Sequence, residues 1–119
     1  MTQQHSFTHA ENELLPKFRK RINEAESTED VKKAFVYSMQ DLFKTVSEGR
    51  LDLRAEDVGL NPEKDSFLLS DGLQSHDDFA KVWNDTDLPR IVASFTELAL
   101  HQYKHLAKNP AKTEAKIRM

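Results

Sequence analysis

Cysteine is absent from this chain of 119 residues, glycine occurs three times, proline four times and tryptophan once. Without cysteine there can be no disulfide staple and no thiolate metal site, which suits a reducing compartment and makes the cytoplasm the expected location. Few glycines and prolines, with 31% charged residues, favour helices over a β-sandwich or barrel. No apolar run approaches the roughly 18 residues needed to span a bilayer, so no membrane partner is expected. The first residues, MTQQHSFTHAENE, lack the basic-then-apolar order of a secretory leader. Several chemical signatures are missing as well. There is no Gly-x-Ser-x-Gly elbow, no glycine-rich phosphate loop, no His-Glu-x-x-His run and no twelve-residue calcium loop. These absences favour a binding protein over an enzyme without deciding between them.

What is present fits one domain over residues 1–119, long enough to bury a core without staples. The net charge of −3 conceals an asymmetry. Residues 1–50 balance at eight acidic and eight basic side chains. Residues 51–87 carry ten acidic and three basic (−7), and residues 88–119 two acidic and six basic (+4). An acidic middle and a basic end can attract one another within one fold or between subunits.

The strongest periodic segment is 87–108. Advancing 100 degrees per residue, Leu88, Ile91, Val92, Phe95, Leu98, Ala99 and Leu106 share an arc of roughly 120 degrees. Asp87 suits the N-cap, Pro89 the first turn, and Asn109-Pro110 the stop. Leu100, with Ala93 and Ala107, lies off the main stripe. That second apolar side marks either the central helix of a bundle or a subunit contact.

A first helix is expected after Thr8, which has capping-box spacing to Glu11. Its stripe is Leu14, Leu15, Phe18, Ile22 and Ala25, and Pro16 predicts either a kink or a start near Leu14. Ser27 or Thr28 caps a second helix reaching about Glu48, with Val31, Phe35, Ser38, Met39, Leu42 and Val46 inward, Val36 and Phe43 widening that stripe, and Gly49 at its C′ position. Between 50 and 75 the pattern is irregular. Residues 57–62 read as turns, 66–70 as a short strand closed by Asp71-Gly72, and Leu53, Leu60, Phe67 and Leu69 as pins onto the helices. Ser75 is the expected cap of a short helix bearing Phe79, Val82 and Trp83. The expected fold class is all-α: a compact bundle of three long helices and one short helix, with an irregular connection or a short hairpin at 50–75. Residues 1–6 and 110–119 are expected as frayed tails. The expected core is Phe18, Ile22, Phe35, Met39, Leu42, Val46, Phe67, Trp83, Ile91, Phe95, Leu98 and Leu106.

Candidate sites are few. His101 and His105, one turn apart with Glu97 a turn earlier, could share a divalent transition metal. Solvated histidines beside a helix end explain the same residues. Phe67, Trp83 and Tyr103 could line a small-molecule pocket between helices. Lys17, Arg19, Lys20, Arg21, Lys32 and Lys33, and again Lys112, Lys116 and Arg118, are clustered cations. They are mixed with carboxylates and lack stacking aromatics, so nucleic acid is not the expected partner. The Ser-His-Asp neighbours at 75–77 are adjacent in sequence, which is not how a catalytic triad assembles. The leading expectation is a small soluble binding or regulatory module without a cofactor, acting through contacts with another protein or a second copy as a homodimer. A histidine–carboxylate metal protein and a small-molecule binder are the alternatives.

Overall fold

The computed structural model describes residues 7–108. The expected tails, the Asn109-Pro110 stop and the cluster at Lys112, Lys116 and Arg118 lie outside the described residues. The elements in order are α1 (Thr8–Asn23), α2 (Thr28–Val46), β1 (Val58–Asn61), β2 (Ser66–Leu69), α3 (Asp71–Gln74), α4 (Asp77–Asp85) and α5 (Leu88–Lys108). Single 3-10 turns, Ala55–Asp57 and Pro62–Lys64, precede and follow β1.

Helices α1 and α2 form an antiparallel hairpin because the chain reverses within four residues. Ser27 Oγ accepts from the Asp30 amide at 3.2 Å and starts α2, with Glu29 and Asp30 in its first turn. The start of α1 differs from the capping-box expectation. Phe7 occupies the N-cap position, and the Glu11 carboxylate accepts from Arg90 of α5 at 3.2 Å. Arg90 also reaches Asp87 at 3.3 Å, and the other Asp87 oxygen accepts from the Phe7 amide at 2.8 Å. The beginnings of α1 and α5 are thereby tied together. α1 runs unbroken across Pro16, which is exposed, so the carbonyl left without a donor one turn earlier is open to water.

Three stripes meet in the core: Phe18 and Ile22 from α1, Val31, Phe35, Met39, Leu42 and Phe43 from α2, and Leu88, Ile91, Val92, Phe95, Ala99 and Leu106 from α5. Phe18 and Phe95 stack with ring centroids 4.9 Å apart, joining α1 to α5. Four residues expected in the core, Val46, Phe67, Trp83 and Leu98, are half-buried at its margin. Leu100 is buried by the chain's own elements, whereas Ala93 and Ala107 are exposed. The second apolar side of α5 is therefore that of a central helix, and Leu100 offers nothing to a second subunit.

The all-α expectation needs correction. The protein is mostly helical, but β1 and β2 pair antiparallel, with Val58 opposite Leu69 and Asn61 opposite Ser66. The stretch read as turns contains β1, and the Asn61-Pro62 signal marks the turn that follows it. Val58 and Leu60 are buried, and β1 packs on α2. That packing supplies the stability a two-stranded sheet lacks alone. Asp71-Gly72 does not close the strand. Ser70 Oγ accepts from the Leu73 amide at 3.1 Å and starts α3. Ser75 ends α3, and His76 caps α4 in its place, its Nδ1 accepting from the Asp78 amide at 3.2 Å. At the end of α2, the C′ position expected for Gly49 is taken by Glu48, and Gly49 follows it.

Candidate functional site

The outer side of α2 carries the most exposed aromatic residue among those described. Tyr37 lies two residues past the buried Phe35, about 200 degrees round the helix, and is therefore aimed away from the core. It is 64% exposed. Beside it runs a cleft of about 500 Å³ lined by Lys32, Lys33, Val36, Tyr37, Gln40 and Ala55. Val36 supplies an apolar floor that packs partly on the core. Gln40 donates from Nε2 to the Leu53 carbonyl at 2.9 Å, which holds the chain entering the 3-10 turn against α2 and so builds the far wall at Ala55. The Lys32 ammonium lies 5.7 Å from the centre of the Tyr103 ring, and the Arg21 guanidinium 6.0 Å from that of Tyr37. The lining carries two positive charges and no carboxylate. Such a surface suits a partner with an apolar anchor set among acidic groups.

Two other clefts are less selective. One of about 400 Å³ lies between the end of α2 and α4, with Phe7, Val46 and Val82 below a rim of Glu48, Arg50, Asp78, Lys81 and Asp85. The other, about 300 Å³, has Arg50, Arg54 and His76 interleaved with Asp52 and Asp57. Charges of both signs line each, so neither favours a ligand of one sign. Asp57 is engaged within the fold. Its carboxylate accepts from the Arg54 amide at 2.9 Å and from the Ser70 hydroxyl at 2.8 Å. The Arg54 amide first and the Ser70 hydroxyl second hold its carboxyl below the ordinary carboxylate value. Ser70 and His76 both serve as caps, which gives the hydroxyl and imidazole near Asp71 and Asp77 a structural use.

Glu97, His101 and His105 all lie exposed along α5, in line as their spacing requires. Among the described residues no three His, Asp or Glu side chains come together as a metal would require. Of the three expected pocket residues, Phe67 and Trp83 do meet, edge to face at 6.0 Å. Trp83 also stacks on Phe79 at 5.2 Å and on Phe43 at 6.4 Å, so these rings fill one aromatic cluster rather than frame a space. Tyr103 faces Lys32 instead, and none of the three clefts described is lined by Phe67, Trp83 or Tyr103.

Sequence reasoning did not single out Tyr37. Its signal was available: it is the one aromatic residue of α2 outside the inward stripe.

No protein-family model, no curated protein and no solved structure matches this chain. Among the described residues no helix is long and apolar enough to cross a membrane.

Proposed function

We propose that this chain is a small non-enzymatic binding module that acts through protein contacts as a homodimer, with the Tyr37 cleft of α2 as its contact surface. The observation that carries this reading is the exposed Tyr37 at the wall of a largely apolar cleft whose lining holds two lysines and no carboxylate. Tyrosine is favoured at interfaces because a rigid ring contributes contact area at small entropic cost and still offers a hydroxyl. Lys32 and Lys33 at the rim favour an acidic partner surface and steer its approach. The chain itself contains a strongly acidic stretch, residues 51–87, with a net −7.

Sedimentation equilibrium over a wide concentration range, at low and high salt, tests the reading, with metals assayed on the same sample. The expected result is a metal-free protein whose association strengthens with concentration, weakens with salt and is reduced by Tyr37→Ala. A monomer at every concentration, or association indifferent to Tyr37→Ala, overturns it. A monomer carrying stoichiometric transition metal would move Glu97, His101 and His105 to the front instead.

A further inference from the structure

Among the described residues, one large apolar side chain other than Tyr37 stands out from the surface. Leu68 is 53% exposed, at the middle of β2. Strand alternation explains it. Phe67 and Leu69 turn inward with Val58 and Leu60, so Leu68 must turn outward. Its cross-strand partner is Gly59. A Cβ at Gly59 would lie 4.0 Å from the Leu68 Cδ1, so a side chain there would shield Leu68, and glycine leaves it bare. The rest of that face is Asn61 and Ser66, both small and polar. Leu68 is thus a single apolar knob on a polar face. The segment that presents it, residues 56–71, carries Glu56, Asp57, Glu63, Asp65 and Asp71 against Lys64, a net −4.

We infer that Leu68 of one copy docks into the Tyr37 cleft of a second copy. This rests on the homodimer reading above and names the other half of its contact. Three features of knob and cleft match. The cleft has an apolar floor at Val36 and about 500 Å³ of space, ample for a leucine side chain. Its lining bears Lys32 and Lys33, whereas the segment that presents Leu68 is net acidic and, with Asp65 paired to Lys104, still carries Glu56, Glu63 and Asp71. These opposite charges favour the approach of one surface to the other. Both members are also held beforehand: the cleft wall by the bond from Gln40 to Leu53, and the hairpin by its strand pairing and the packing of β1 on α2. Because knob and cleft are different surfaces, one docking joins two copies head to tail. A dimer closes when both knobs enter both clefts about a two-fold axis.

The test uses three variants of the full chain at exposed positions, each checked for an unchanged circular dichroism spectrum and melt. Leu68→Lys removes the knob and sets a cation against the lysines of the cleft. Tyr37→Asp and Lys33→Glu alter the cleft and leave the knob. Each should raise the dissociation constant at least about tenfold in sedimentation equilibrium. An equimolar mixture of Leu68→Lys and Tyr37→Asp should associate more tightly than either alone, because one intact cleft can still meet one intact knob. If Tyr37→Asp dissociates the protein while Leu68→Lys does not, the cleft remains the contact and the assignment of Leu68 falls. If the mixture gains nothing over its components, the knob-into-cleft arrangement falls. A wild-type protein that stays monomeric throughout overturns both this inference and the homodimer reading.

Discussion

The trio α1, α2 and α5 and the segment 50–75 are held by different kinds of interaction. In the trio, one face recurs over 16 to 21 residues per helix, and backbone bonds close within each element. The 50–75 segment has strands of four residues each, and it is held largely by side-chain bonds, some within it and some to α2 and α5. Gln40 holds the Leu53 carbonyl, Asp57 holds the Arg54 amide and Ser70, Gln74 holds the Leu69 carbonyl, and Lys104 holds Asp65. The trio should therefore melt as one unit, while the hairpin opens locally at lower free energy.

Breaking the trio gives the largest effects. Phe95 is fully buried against Phe18, and Leu42 is fully buried on α2. Phe95→Ala should cost about 3–5 kcal/mol and Leu42→Ala about 2–5 kcal/mol in urea melts. Either loss is a large share of a typical domain's stability, so the whole transition should move. Nearly neutral results would mean that the helix registers are wrong. Phe67→Ala probes the other region. The ring is half-buried and meets Trp83 edge-on, so about 1–2 kcal/mol is expected. Amide exchange should quicken across residues 58–69 while the centres of α2 and α5 keep their protection. A uniform loss across all amides would show that the hairpin is not a separate unit.

Matched changes at two caps sharpen the contrast. Ser27→Ala and Ser70→Ala each remove an oxygen that accepts a helix-start amide, worth about 1 kcal/mol. The first should lower the global midpoint, and the second should mainly loosen the hairpin, because Ser70 also donates to Asp57 across its base. Asp57 adds a pH signature. Its native carboxyl lies below the ordinary 3.8, so its contribution is present above that pH. It is lost as the pH falls from 3.8 through the lowered native value. In Asp57→Asn, hairpin protection should respond less to pH over that range, and an unchanged acid response would rule the carboxylate out as the clasp.

The same division explains what could be read from the chain beforehand. The core positions Phe18, Phe35, Met39, Leu42, Ile91 and Phe95 follow from a 3.6-residue period, and the Ser27 cap follows from a hydroxyl before two acids. These signals are local. β1 was missed because a four-residue alternation interrupted by Gly59 looks the same as a turn until β2 and α2 are beside it. Glu11 looked like part of a capping box, and its true partner, Arg90, lies 79 residues away. The contact surface was legible in part: Tyr37 falls opposite the stripe of α2, and Leu68 falls opposite Phe67 and Leu69 once the segment is a strand. The cleft itself depends on the loop at Ala55, which no local pattern fixes.

The junction between the two regions offers the smallest effect, and it is a gain. α2 ends in a Schellman arrangement: the Gly49 amide bonds the Lys44 carbonyl at 2.8 Å and the Glu48 amide bonds that of Thr45 at 3.3 Å. Glu48 sits at φ 56° and Gly49 at φ 87°. The first is the left-handed conformation in which a side chain crowds the backbone and glycine does not. Glu48 is exposed, so its replacement removes no core contact. Glu48→Gly should therefore stabilise the fold by about 0.5–1 kcal/mol, less whatever the freer unfolded chain takes back. Gly49→Ala places a Cβ at φ 87° in open space, so it isolates the backbone strain from any clash and should destabilise by a similar amount. Opposite signs for these two neighbours in thermal melts would establish that backbone conformation, rather than side-chain contact, governs the exit from α2 into the hairpin segment.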